Sequence, residues 1–329
     1  MKKYRLLSVL VSLALCMCAF AAVSADDQLT IAAINLQEDQ FSSWCALGYQ
    51  AAADAYGVKE LHAISNGDLG RENELVNTYA TQNVDGIAIM PASETASHQT
   101  LQRIKDQYNI PISLLNVEMP EGFDYAVGSA TTSHDALGRG SGEAAAQFIK
   151  ENFDGKAKIG IITFKSQYAE PATERMEGFL DEVRAVNPDI EVVAEAEAWV
   201  QDMGIQAAGD MITAHPDLNV IFACNDGGTV GTVMAVKNAG KAGQIFVFGI
   251  DGGEQQIEML RSDDNILQAV TAQDAFQMGY DTMETLIKYL KGELSEDEIG
   301  QTIWIPGKVL SRTDPASIDE YEELLLSSK

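Results

Sequence analysis

Short apolar runs recur along this chain, each bounded by turn residues and followed by a stretch of helical periodicity. The pattern predicts strands at Thr30–Asn35, Glu60–Ser65, Gly86–Met90, Ile112–Asn116 and Tyr125–Ser129. Between them it predicts helices at Ser42–Tyr56, Gly70–Gln82 and Glu94–Tyr108, with a further helix at Ser133–Asn152. The second half repeats the theme, with strands at Lys158–Phe164, Ile190–Ala196, Asn219–Asn225, Phe246–Asp251 and Leu267–Gln273 and helices between them. Strands that alternate with helices imply an α/β protein with parallel sheets covered on both faces. About ten strands exceed one comfortable doubly wound sheet, so the chain is expected to form two Rossmann-like lobes. Crossings are expected near Ser129–Thr131, Ala272–Gln273 and Pro306–Gly307. They divide the chain into an N-terminal lobe of 26–130 plus 273–305 and a C-terminal lobe of 131–272 plus 306–329. Because no Pro- or Ser-rich linker intervenes, a three-strand hinge is expected to join them.

The first residues stand outside that pattern. Lys2, Lys3 and Arg5 precede an apolar stretch from Leu6 to Ala22, and Val23-Ser24-Ala25 supplies small residues before Asp26-Asp27. These features predict a secretory signal peptide cleaved after Ala25. Residues flanking Cys16 and Cys18 do not fit a lipoprotein signal. With 22 basic and 49 acidic residues the net charge is −27, and loss of the basic leader makes the rest still more negative. Such a field disfavours nucleic acid, anionic membrane surfaces and, weakly, an anionic ligand. Cys45 and Cys224, the cysteines beyond the leader, fall on different elements and are expected to be free thiols. Four scattered histidines show no ligand spacing, so no metal and no cofactor is expected.

Chemistry concentrates at strand ends, where open α/β sheets bind ligands. Val220–Cys224 runs into Asn225-Asp226-Gly227, and Ile245–Ile250 runs into Asp251-Gly252-Gly253. Asn116 and Gln273 end two further strands. Such side chains can bridge the hydroxyls of a polyol, or they can cap the helices that follow. Phe41 and Trp199 stand in polar, turn-like stretches, where they could wall a pocket or belong to the core. The run Gly138-Arg139-Gly140-Ser141-Gly142 lies inside a helical pattern and fails the dinucleotide fingerprint, so close helix packing explains it better. Neither a phosphate loop nor a nucleophile elbow is present.

Taken in order, these residues resemble the periplasmic sugar-binding proteins of ABC importers, in the ribose- and galactose/glucose-binding group of type I periplasmic binding proteins. Asp39-Gln40-Phe41 resembles the Asp-Asn-Phe of galactose-binding members, which implies a hydroxyl contact for Asp39 and stacking for Phe41. Leu114–Glu118 resembles their Phe-Phe-Asn-Lys-Glu, implying a contact for Asn116. Trp199 falls at the second stacking position. Asn225-Asp226, Asp251 and Gln273 match the strand-end Asn, the sugar-binding Asp and the hinge-strand amide. Departures accompany the match. Thr173 stands where members place a bidentate arginine, and Arg175 matches a neighbouring arginine that is not the usual ligand contact. Met90 replaces a polar Asn, and no calcium loop is found.

The resemblance implies a periplasmic monomer, not an enzyme, that captures a monosaccharide or polyol and delivers it to an ABC transporter permease. Two alternatives are a ligand-sensing partner of a chemoreceptor or sensor kinase, and an exported carbohydrate-active enzyme working through paired carboxylates. A transcription regulator's effector domain shares the architecture, but the leader, the charge and the lack of a helix-turn-helix before Thr30 count against it.

Overall fold

A computed structural model describes residues 28–93 and 95–327; the leader reading therefore lies outside the described residues. Two six-stranded sheets form. The first contains β1 (Thr30–Asn35), β2 (Lys59–Ile64), β3 (Gly86–Ile89), β4 (Ile112–Leu115), β5 (Ala126–Thr131) and β11 (Gln301–Trp304), in the order β11-β5-β4-β3-β1-β2. The second contains β6 (Lys158–Thr163), β7 (Glu191–Glu197), β8 (Val220–Ala223), β9 (Phe246–Asp251), β10 (Leu267–Ala272) and β12 (Lys308–Ser311), in the order β12-β10-β9-β8-β6-β7. The orders are equivalent strand for strand. All pairings are parallel except that of β12 with β10. The apolar patterning accounts for the central strands: β3, β4 and β8 are buried along their whole length, as strands covered on both faces must be.

The sequence pattern did not predict β11 or β12 as strands. Both are four-residue edge strands, and β11 is mostly exposed, so neither carries a buried apolar run. They flank the third crossing between sheets; the other two follow Thr131 and Ala272. The crossings brace one another, since the Ile305 amide donates to the Thr131 carbonyl at 2.9 Å.

Two helices exchange sides. Helix α4 (His134–Phe153) follows a strand of the first sheet but packs on β9 and β10, beside α5 (Ala169–Val186). Helix α9 (Ala275–Lys291) follows a strand of the second sheet but packs on β3, β4 and β5, beside α1 (Gln40–Tyr56). Glycine allows both pairs to approach closely. A Cβ at Gly138 would stand 2.0 Å from the Arg175 carbonyl oxygen, and one at Gly279 would stand 2.1 Å from that of Cys45. The glycine run in α4 is thus a packing surface.

Cys45 and Cys224 are free and buried. Among the described residues no helix is long and apolar enough to cross a membrane, and no cluster of His, Cys, Asp or Glu could hold a metal ion.

Candidate ligand-binding site

The carboxyl ends of the strands in both sheets face one cavity of about 320 Å³ between the lobes. From the first lobe come Gln37, Asp39, Phe41, Met90 and Asn116. Asp39 precedes α1 and caps it, its Oδ1 accepting the Ser42 amide at 2.7 Å. The other carboxylate oxygen accepts from the Gln37 side chain. The turn after β4 puts Asn116 in the left-handed region at φ 57°, and its amide donates to the Ala130 carbonyl. That geometry leaves Asn116 Oδ1 buried with no protein partner.

The second lobe contributes the charged floor. Asp251 ends β9 at φ 100°, a conformation costly for any residue with a Cβ. Three groups hold it there. Its Oδ2 accepts the Asp226 amide at 2.6 Å, its Oδ1 accepts the Gln273 side-chain amide, and Arg175 Nη1 lies 3.8 Å from Oδ1. Burial pushes the Asp251 carboxyl up; Arg175 and the two amides oppose that shift, and Asp39 adds to it. Arg175 is itself buried. Its Nη1 donates to the Cys224 carbonyl at 2.9 Å and its Nε donates to His134 Nδ1 at 3.3 Å. The guanidinium also sits 5.4 Å above the centre of the Phe164 ring. To accept from Arg175, His134 must be neutral, and burial together with that guanidinium lowers its proton affinity.

Aromatic rings form one wall. Trp199 lies 5.2 Å from Phe164 and 6.0 Å from Tyr168, centre to centre. Asn225 holds this wall in place: its Nδ2 donates to the Trp199 carbonyl at 2.7 Å, while its Oδ1 accepts the Gly228 amide and caps α7 (Asp226–Asn238). Capping and lining are therefore simultaneous roles for Asn225. The same holds for Asp39, whereas the residue that caps α8 (Glu254–Arg261) is Gly253, not Asp251.

Eight of the nine residues singled out in the sequence line this cavity: Asp39, Phe41, Asn116, Arg175, Trp199, Asn225, Asp251 and Gln273. Thr173 does not. Its hydroxyl donates backward to the Ala169 carbonyl at 2.7 Å. Two residues turn an α-helix by about 200°, so Thr173 and Arg175 point to opposite sides of α5 and only Arg175 enters the cavity. Arg175, half a turn further along α5, supplies the cavity's guanidinium in place of Thr173. Sequence reasoning passed over Gln37, His134, Phe164, Tyr168 and Asp226, all of which line the cavity. Asp226 could have been found from its place beside Asn225, and Phe164 from ending an apolar strand.

Bonds also cross the cavity mouth. The Trp199 indole N–H donates to Gln37 Oε1 at 2.7 Å, the Glu254 amide donates to Gln40 Oε1 at 2.7 Å, and the Tyr168 hydroxyl donates to the Pro91 carbonyl. The lobes thus touch across a partly open, partly aromatic, partly hydrogen-bonding cleft. Those features define a two-lobed binding protein for a small polar ligand.

The comparisons agree. A family model described as a periplasmic binding protein domain matches residues 32–294, and the chain belongs to that family. It is 29% identical over 301 residues to the ABC transporter periplasmic-binding protein YphF of Escherichia coli, covering 90% of each chain. It is 27% identical to the ribose import binding protein RbsB of the same organism, covering 89% of this chain and 95% of that one. Among solved structures, a solute binding protein from Bacillus halodurans with bound myo-inositol superposes at TM-score 0.79 with 20% identity, over 90% of this chain and 98% of that one. One from Agrobacterium radiobacter, in complex with D-arabinose, also reaches 0.79, at 22% identity and with coverage of 90% and 99%. At these identities the structural matches speak for the fold.

Proposed function

We propose that the protein captures a monosaccharide or related polyol in the interlobe cavity and delivers it to an ABC transporter permease. One observation carries this reading. The cavity is lined at once by the hydrogen-bonding side chains of Asp39, Asn116, Asn225, Asp251 and Gln273 and by the rings of Phe41 and Trp199. Carboxylates and side-chain amides of this kind can bridge the adjacent hydroxyls of a polyol. The Phe41 and Trp199 rings suit the C–H faces of such a molecule. RbsB supports the direction by its name, a ribose import binding protein.

In this reading the lobe of 26–130 plus 273–305 swings against that of 131–272 plus 306–329 about the three crossings. The ligand drives closure because only the closed form brings Asn116 to the same chamber as Asp251. Export through a leader cleaved after Ala25 would place the protein outside the cytoplasm, which N-terminal sequencing of secreted material tests. The binding reading is tested by X-ray scattering and thermal unfolding with a panel of pentoses, hexoses and inositols. A true ligand compacts the protein and raises its melting temperature; a panel in which none does either refutes sugar capture.

A further inference from the structure

A buried carboxylate is costly, so one with no part in the cavity calls for a reason. Glu72 is such a group. It lies on α2 (Leu69–Thr81), is fully buried and does not line the cavity. Its Oε2 accepts the Ala92 amide at 2.5 Å. Ala92 belongs to the loop that follows β3, and the residues on either side are pinned as well. The Met90 amide donates to the Ile34 carbonyl of β1 at 3.0 Å, and the Ser93 amide donates to the Ser97 hydroxyl at 3.1 Å. Pro91 has no N–H of its own, so its neighbours set its position. Its carbonyl is the one that accepts the Tyr168 hydroxyl from the second lobe. Tyr168 is 5% exposed and directly precedes α5. Its own carbonyl accepts the Ala172 amide at 3.2 Å and so starts the helix that carries Arg175.

We infer, resting on the polyol-capture reading, that Glu72 is a positioning residue for ligand retention: from outside the cavity it fixes the Pro91 carbonyl where the Tyr168 hydroxyl latches the second lobe to the first. The anchor and the latch are adjacent residues, so releasing Ala92 displaces an acceptor that only the closed form uses. Glu72→Leu fills much the same space and leaves the Ala92 amide without its acceptor. Because the role runs through the bond across the cleft, a double-mutant cycle with Tyr168 isolates it.

The test is stopped-flow release of D-ribose, D-galactose and myo-inositol from the intact protein, followed by tryptophan fluorescence in wild type, Glu72→Leu, Tyr168→Phe and the double variant. We expect Glu72→Leu and Tyr168→Phe each to quicken release of any bound probe about fivefold, the worth of one neutral hydrogen bond, with association little changed. The double variant should release no faster than Tyr168→Phe alone. Glu72→Gln, whose side-chain oxygen still accepts the Ala92 amide, should stay within about twofold of wild type. A merely structural Glu72 would lower the melting temperature and leave release unchanged, or would add its effect to that of Tyr168→Phe. Either result overturns the inference while leaving sugar capture standing. Where Glu72→Leu folds poorly, Glu72→Asp withdraws the acceptor by one methylene and enters the same cycle. Silence from all three probes would overturn both, because the latch then has no sugar to retain.

Discussion

The Trp199 indole nitrogen donates to Gln37 Oε1 across the cleft at 2.7 Å, so the ring that walls the second lobe is fastened to the loop after β1 in the first. This bond exists only when the lobes are closed. Trp199→Phe keeps a stacking ring and deletes the donor. We expect ligand release to quicken about fivefold, the worth of roughly 1 kcal/mol, while the association rate changes little. Stopped-flow fluorescence or surface plasmon resonance checks it. An unchanged release rate would show that the bond plays no part in holding the closed form.

Helix geometry separates two neighbours on α5. Thr173→Ala should leave affinity within about twofold, because that side chain faces away from the cavity and only bonds its own helix. Arg175→Met removes the sole guanidinium of the cavity and leaves Asp251 buried without its counter-charge. We expect a loss of at least about tenfold in affinity and about 3 kcal/mol in stability. Calorimetry and urea unfolding measure the two effects. Equal sensitivity at both positions would contradict the placement.

Asp226 makes stability depend on pH in a direction opposite to that of most carboxylates. Its folded pKa is raised from 3.8 to about 7, so the native protein retains a proton that the unfolded chain gives up. The stabilisation from this group is complete below about pH 4 and is lost as pH rises through about 7. Without ligand, Asp226→Asn should match the parent near pH 4 and exceed it by up to about 4 kcal/mol at pH 8. Thermal unfolding of both across that range is the check; parallel curves would contradict it.

Gly138 admits no side chain. A Cβ there would stand 2.0 Å from the Arg175 carbonyl oxygen, and backbone cannot rotate away. Gly138→Ala should therefore cost about 2 kcal/mol or more and weaken binding as well, because it displaces the very turn that carries Arg175. A Gly209→Ala control, where nothing lies within 4 Å of the added Cβ, should be neutral or slightly stabilising.

The alternation of apolar runs and helical stretches carried the architecture, because central strands buried on both faces must be apolar throughout. Edge strands escape that rule. Trp304 is half exposed on β11, and nothing in Gln301–Trp304 distinguishes it from a loop. At the site, the strand-end residues Asn116, Asn225, Asp251 and Gln273 were legible because a polar residue interrupting an apolar run is conspicuous. Tyr168, His134 and Gln37 were not. His134 reaches the cavity because α4 crosses to the second sheet, and Gln37 and Tyr168 reach it from loops beside β1 and α5, placements that no local period records. Thr173 and Arg175 mark the limit of motif matching: two residues apart in the chain, they lie on opposite sides of one helix.

The most direct test of the account is titration of the protein with monosaccharides and inositols, in parallel with an Asn116→Leu, Gln273→Leu double variant that removes two hydrogen-bonding side chains from the cavity lining. The account predicts a single saturable site at micromolar affinity or better for at least one compound, lost by about a hundredfold in the double variant. Saturable binding that the double variant leaves intact, or no binding by any compound, would contradict it.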